Sequence, residues 1–288
     1  MKTSTEIASA ARHIGEEKAI ELIAKAGFDA WDFSMFEMGK YDWENECLFK
    51  NEHPLTGGDY LKFARKLRKI GEDNGIHCNQ SHAPFPVYVK EIYDMQKRAI
   101  ECTAEAGGKI CVIHPDNFKT AEENAIMYNE LLPFAKDCGV KIATENMWKW
   151  NHETDRADFS ACATAEDFNK HLDAVNDDFF VACLDLGHAE MMGESASAPG
   201  MIHALGSRLK ALHVHDNDRH RDKHQIPFSM AMDFDAIAKA LSDIGYDGYI
   251  TLEADTYLNA YNKDNIYEGI KNLYSSARKL ADMVENGI

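Results

Sequence analysis

The sequence predicts an α/β protein built as one (β/α)8 TIM barrel spanning residues 1–288. Three observations predict it. Short apolar runs alternate with longer amphipathic segments eight times along the chain. Most of those runs are apolar at consecutive positions, as in parallel strands buried on both faces. A length of 288 residues suits one such barrel. A doubly wound open sheet would normally begin with a glycine-rich turn, and none follows the first run. No linker rich in Pro, Gly or Ser interrupts the pattern, so the chain reads as a single domain.

In order, strands are expected at residues 2–5, 28–33, 76–81, 110–113, 140–144, 179–184, 209–214 and 249–252. Helices are expected at 15–26, 59–74, 89–106, 121–138, 165–176, 200–207, 234–244 and 266–285. Gly27 ends the first helix and Gly75 follows the second, where a left-handed backbone favours glycine. Thr164 with Asp167 forms a capping-box-like start for the fifth.

Composition narrows the function classes. Hydrophobic residues make up 45% and charged residues 27%, enough for a sizeable core. The net charge of −17 repels phosphate backbones and anionic membranes, so nucleic acid is a disfavoured partner. No run reaches the ~20 apolar residues needed to span a bilayer, and the N-terminus lacks signal-peptide character. Seven cysteines without a CxxC pair suit a reducing compartment, and the cytoplasm is the expected location.

The informative residues follow the apolar runs. The third strand ends at His82, the fourth at His114, the fifth at Glu145 and the sixth at Asp185. The seventh runs into His215 and Asp216, and the eighth into Glu253. In a barrel these ends converge on one mouth, where sites of this fold are built. A lone histidine or carboxylate after a strand is usually a hydrogen-bonded loop residue. Six successive strand ends of this kind are harder to assign to loops, and clustered carboxylates repel one another unless a cation intervenes. Glu145, Asp185, His215 and Glu253 are therefore candidate ligands of one divalent ion. Such an oxygen-rich set suits Mn²⁺, Mg²⁺ or Co²⁺, with Zn²⁺ a poorer match.

The motifs SHAPFP, VIHPDN, ATENMW, CLDLGHAE, HVHDND and TLEAD resemble those of the sugar (phosphate) isomerases and epimerases among xylose-isomerase-like barrels. That superfamily includes the AP endonucleases of the endonuclease IV type. The resemblance implies a metal-dependent proton transfer through an enediolate, with Glu145 and Glu253 as ligands and acid/base pair. It implies that His188 and Arg221 orient substrate oxygens, and His82, His114, His224 and Trp148 complete the substrate site. The substrate would be a small sugar or sugar phosphate, and barrels of this kind frequently pair as homo-oligomers.

Two other readings stand beside it. A tri-zinc phosphodiesterase acting on apurinic DNA would use His82, His114, His188, Asp222 and His224 as further ligands. The acidic charge and the absence of a glycine-rich stretch after Asp222-Lys-His224 argue against it. A non-catalytic sugar-binding barrel would not need two opposed glutamates. Trp148, Trp150 and Phe85 could wall the mouth or serve packing. Asp32 suits a structural hydrogen bond. Arg219, His220, Arg221, Lys223 and His224 form a basic cluster, usually the mark of a solvated loop, that could clamp an anion or hydroxyl groups.

Overall fold

A computed structural model describes residues 1–193 and 196–287. The chain opens with β1 (Lys2–Glu6), α1 (Ala8–Ile14), α2 (Glu16–Ala26) and β2 (Ala30–Ser34). A hairpin, β3 (Tyr41–Asp42) with β4 (Cys47–Leu48), leads to α3 (Tyr60–Asp73). Then come β5 (His77–His82), α4 (Lys90–Asp94), α5 (Gln96–Ala106), β6 (Ile110–Val112), α6 (Ala121–Asp137) and β7 (Lys141–Glu145). A second hairpin, β8 (Trp148–Asn151) with β9 (Arg156–Phe159), precedes α7 (Ala165–Val175), β10 (Phe180–Asp185), α8 (Leu186–Met191) and α9 (Ala198–Leu205). The chain finishes with β11 (Leu209–His213), α10 (Phe234–Asp243), β12 (Tyr249–Leu252) and α11 (Ile266–Asn286).

Eight parallel strands form one sheet in the order β11-β10-β7-β6-β5-β2-β1-β12. Just beyond β11, Val214 N–H donates to Thr251 O at 2.9 Å and Glu253 N–H donates to Val214 O at 3.0 Å. These bonds bring the two outer strands together and close the sheet as the expected barrel. Each predicted strand is present, with boundaries within about two residues.

The helices form for identifiable reasons. Thr120 and Glu123 make a reciprocal capping box at the start of α6. Thr164 Oγ1 accepts the Asp167 N–H at α7. Gly27 closes α2 at φ 113°, a backbone that a Cβ would strain. Helix α11 turns Ile270, Leu273, Ala277, Leu280 and Val284 inward at helical spacing. Each large aliphatic buried this way contributes roughly 1.5–3 kcal/mol. Three expectations change. The helix expected at 89–106 divides at Met95, whose N–H bonds tightly to Ile92 O. The helix expected at 200–207 begins at Ala198, because Pro199 suits a first turn. Helices α1 and α8 and both hairpins are additional to the expected elements.

Inside the barrel, strand residues of one parity face the lumen. Val112, Ala143, Val181, Cys183 and Ala211 form a small apolar cluster separate from the main core. Stepping by two along each strand carries this inward face from Ala143 to Glu145, from Cys183 to Asp185 and from Ala211 to His213. All seven cysteines are free. Burial pushes the Cys111 thiol up to about 11 and those of Cys102 and Cys183 to about 12, so these three behave as neutral small hydrophobes. Among the described residues, no helix is long and apolar enough to cross a membrane.

Candidate functional site

At the C-terminal mouth of the barrel the predicted strand-end residues meet. Glu145, Asp185, His213 and Glu253 offer ligand atoms that all lie within 4.8 Å of one another, and each residue is buried. An ion about 2.1 Å from its donors sets neighbouring donors roughly 3–4 Å apart, a spacing these side chains can supply. His82 and His114 approach from the third and fourth barrel strands. Their Nε2 atoms lie 3.6 and 3.2 Å from Glu145 Oε2. Glu145 Oε2 and Asp185 Oδ2 are buried without a hydrogen-bond partner. Unpaired carboxylate oxygens at this depth are costly, so these residues fit a cation.

His215 falls elsewhere than the sequence suggests. It groups with His188, Asp222 and His224 in a second set, whose ligand atoms also lie within 4.8 Å of one another. Its Nε2 stands 3.1 Å from Asp185 Oδ1, and its ring stacks on His224 at 3.9 Å between centroids. The Glu–Asp–His–Glu quartet brought together in this structure contains His213 rather than His215. His213 lies inside the strand expected at 209–214, which leaves His215 as the first polar residue beyond it. In HVH both histidines share one strand face, so alternation by two could have marked His213.

Local chemistry holds both histidine sets. His213 Nδ1 is 3.1 Å from Glu145 Oε1 and 3.5 Å from Glu253 Oε2, while its Nε2 lies 3.5 Å from Asp32 Oδ2. Asp32 in turn accepts a 2.9 Å hydrogen bond from Gln80, in keeping with its expected structural role. Asn146, not singled out from sequence, makes a reciprocal pair with the Asp185 backbone at 2.8 and 2.9 Å. Asp185 caps α8 by accepting the His188 N–H at 2.7 Å, which turns the His188 ring toward the mouth. The loop after β11 folds back through paired backbone bonds between Asp216 and Gln225. That return brings Asp222 Oδ2 to 3.2 Å from His188 Nε2 and 3.1 Å from His224 Nε2. Gly187 is required beneath it, since a Cβ there would stand 1.9 Å from the His215 ring.

The electrostatics separate the two glutamates. Burial works to raise the Glu145 carboxyl, yet the His213 charge and the close imidazoles of His114, His213 and His82 hold it well below the usual range. Burial raises Glu253, and the nearby His213 and His82 charges do not overcome it. Burial lowers the His114 imidazole to about 4, whereas Asp185 and Asp222 outweigh burial at His188 and lift it to about 10. His213 is likewise raised, with Glu253 and Glu145 outweighing burial.

A cavity of about 570 Å³ opens over these residues. His82, His114, Glu145, His188, His224 and Glu253 border its inner part, and Phe85, Trp148 and Trp150 its walls. Arg221 does not border it. Its guanidinium pairs with Asp155 at 2.6 Å and stacks over Trp150 at 3.8 Å. The rest of the basic cluster is also engaged, Arg219 with Glu190 at 3.2 Å, His220 with Asp155 at 3.4 Å, Lys223 with Asp218 at 3.9 Å and His224 with Asp222 at 3.1 Å. An anion clamp would have to break these pairs.

Comparison with known proteins accords with this architecture. The uncharacterized protein MJ1311 of Methanocaldococcus jannaschii is 25% identical over 268 residues, covering 86% of this chain and 82% of that protein. An inosose dehydratase of Clostridium perfringens is 25% identical over 161 residues, covering 50% of this chain and 49% of that enzyme. The crystal structure of a D-tagatose 3-epimerase-like protein superposes with a TM-score of 0.71 at 21% identity, covering 99% of this chain and 98% of the other. Residues 20–281 match the sequence model of the xylose isomerase-like TIM barrel, and the chain belongs to that family.

Proposed function

We propose that the protein is a metal-dependent sugar isomerase or epimerase that moves a proton on a carbon next to a carbonyl. The observation that carries this reading is the pair of buried glutamates, Glu145 and Glu253, which reach His213 from different strands beneath one cavity. Their approach from different strands is the arrangement that lets one accept a proton and the other deliver one. Glu145, as carboxylate, takes the proton from the substrate carbon to give an enediolate, and Glu253 returns one. Return to the opposite face of that carbon gives epimerisation, and return to the neighbouring carbon on the same face, with a proton passing between the two oxygens, gives isomerisation.

Glu145, Asp185, Glu253 and His215 would hold the divalent ion. When bound, the ion supplies Lewis-acid stabilisation of charge developing on substrate oxygens. His213 is suited to positioning instead. Each of its nitrogens already faces a carboxylate, Asp32 on one side and Glu145 with Glu253 on the other. His188 and His224 orient hydroxyl groups from the cavity wall, and Trp148 offers a face to the sugar ring. The test is deuterium uptake from heavy water into a panel of ketoses by the Mn²⁺-loaded protein. Uptake lost in both Glu145→Gln and Glu253→Gln supports the assignment, and uptake retained in both ends it.

A second reading is favoured by one observation, the separate His188–His215–Asp222–His224 set. Together with His82, His114 and Glu145 it offers enough donors for a polynuclear phosphodiesterase. Metal analysis separates the two readings. About one ion per chain supports sugar chemistry, and about three, with cleavage of abasic DNA, supports the other.

A further inference from the structure

The cavity is chemically divided along its depth, and its outer part is unlike what a bare sugar needs. Its inner end is carboxylate and imidazole. Its rim is aromatic, with Trp43 from the β3–β4 hairpin, Tyr88 and Phe118 from the loops after β5 and β6, and Trp148 and Trp150 from the β8–β9 hairpin. Trp43 is 60% exposed, Tyr88 42% and Phe118 79%. Large apolar side chains left in water around a concave opening mark a binding surface. The rings are arranged edge to face, Tyr41 with Trp43 at 5.1 Å, Tyr88 with Phe118 at 5.4 Å and Trp148 with Trp150 at 6.4 Å. Such pairs leave ring faces available to a flat guest.

Size and charge point the same way. Cavities of roughly 300–1,000 Å³ enclose ligands of drug size, so about 570 Å³ exceeds the need of one monosaccharide. A sugar is polar on most of its surface and can stack on one aromatic face, not on a rim built from four loops. A phosphate tail would meet mainly Lys149 on the rim, since Lys40 there is held by Glu37 at 3.2 Å and Arg221 lies outside the cavity on Asp155. Building on the proton-transfer reading above, we infer that the substrate is a carbonyl-bearing sugar carrying a planar aromatic substituent. The sugar seats against Glu145 and Glu253, and the substituent lies among Trp43, Tyr88 and Phe118.

Matched pairs test this with the full chain loaded with Mn²⁺. Phenyl and methyl 3-oxo-β-D-glucopyranosides form one pair, and 6-O-benzyl and 6-O-methyl ketohexoses the other. Both are followed by deuterium uptake, and by calorimetric binding to Glu253→Gln, which reads affinity without turnover. The expected aryl-to-methyl ratio in kcat/KM or affinity is about tenfold, falling towards one in Trp43→Ala and Phe118→Ala. Both substitutions lie on the surface, and circular dichroism checks that the variants fold. Equal handling of aryl and methyl partners in both pairs, or a preference that survives both substitutions, overturns the inference. If the ratio is near one and Trp43→Ala instead dissociates a dimer in sedimentation, the rim is a self-interface and the inference also falls. Should no compound exchange deuterium, the proton-transfer reading fails, while the binding ratios still decide the aromatic preference.

Discussion

The floor cluster of Glu145, His213 and Glu253 and the wall cluster of His188, His215, Asp222 and His224 share Asp185 as a neighbour, yet they are built differently. Floor residues sit at the ends of β7 and β11 and just beyond β12, so their spacing is fixed by the hydrogen-bonded barrel itself. Wall residues depend on local devices. Asp185 caps a short helix, Gly187 leaves room for an imidazole, and a returning loop presents Asp222 and His224. Strand ends give precision with little sequence, whereas a loop-built site needs several residues whose only task is placement.

The comparison can be broken most sharply at the floor. Glu145→Gln and Glu253→Gln should each lower proton exchange by roughly 10²–10⁴-fold while leaving the thermal unfolding of the chain cooperative. Exchange rates in heavy water measure this, and a loss in only one variant would confine the chemistry to one face.

Glu6 supplies a reference carboxylate, at a strand end but outside both clusters. Burial pushes it up to about 7, against about 4.5 when exposed, and Ser9 and Ser34 hydrogen-bond it. Its folded-state value is raised, so its contribution to stability is fully present below about pH 4.5 and is lost as pH rises through about 7. Glu6→Gln cannot ionise and should recover up to about 3 kcal/mol at pH 8 relative to pH 4.5, visible as a flatter dependence of Tm on pH. Identical pH profiles for the two proteins would remove Glu6 as the cause.

The two imidazoles of HVH sharpen the comparison further. If His215 binds the ion and His213 positions Glu145, His215→Asn should weaken Mn²⁺ affinity by about 100-fold or more. His213→Asn should weaken it by roughly 10–100-fold, as supporting partners of ligands do. The reverse order in calorimetric titration would transfer the ligand role to His213. The smallest effect belongs to Gly187→Ala, which forces the His215 ring aside. Its cost in stability should be about 1–3 kcal/mol, with looser metal binding and an unchanged barrel by circular dichroism.

The contrast also explains what could be read from the chain. The eight apolar runs and the polar residue after each were legible, because a buried parallel strand declares itself by composition and its end by the first charged side chain. Glu145, Asp185 and Glu253 were found in this way. Helix α8 was not, since LDLGH continues the apolar strand and its start lies in one hydrogen bond that Asp185 accepts from the His188 N–H. The hairpins escaped because their turns use Glu46 and Asp155 at positive φ rather than an Asn-Gly signal. The family resemblance drew Arg221 towards the site, and Asp155 with Trp150 holds it on the β8–β9 hairpin. Side-chain partners of that sort depend on where two loops cross, which linear spacing does not encode.

Asp185 has a consequence for how the two clusters respond to ligands. One of its oxygens receives the His188 amide and faces His215, and the other has no partner. A single carboxylate so divided makes the clusters thermodynamically linked. A cation gained on one side withdraws electron density from the other, so each binding event alters the affinity of the next. By reciprocity, if the proposed ion binds, protonating the wall would weaken its hold by the same factor by which the ion opposes that protonation. With an ion bound, the mouth of this barrel would act as one cooperative unit with two faces, and its metal occupancy would be a function of pH.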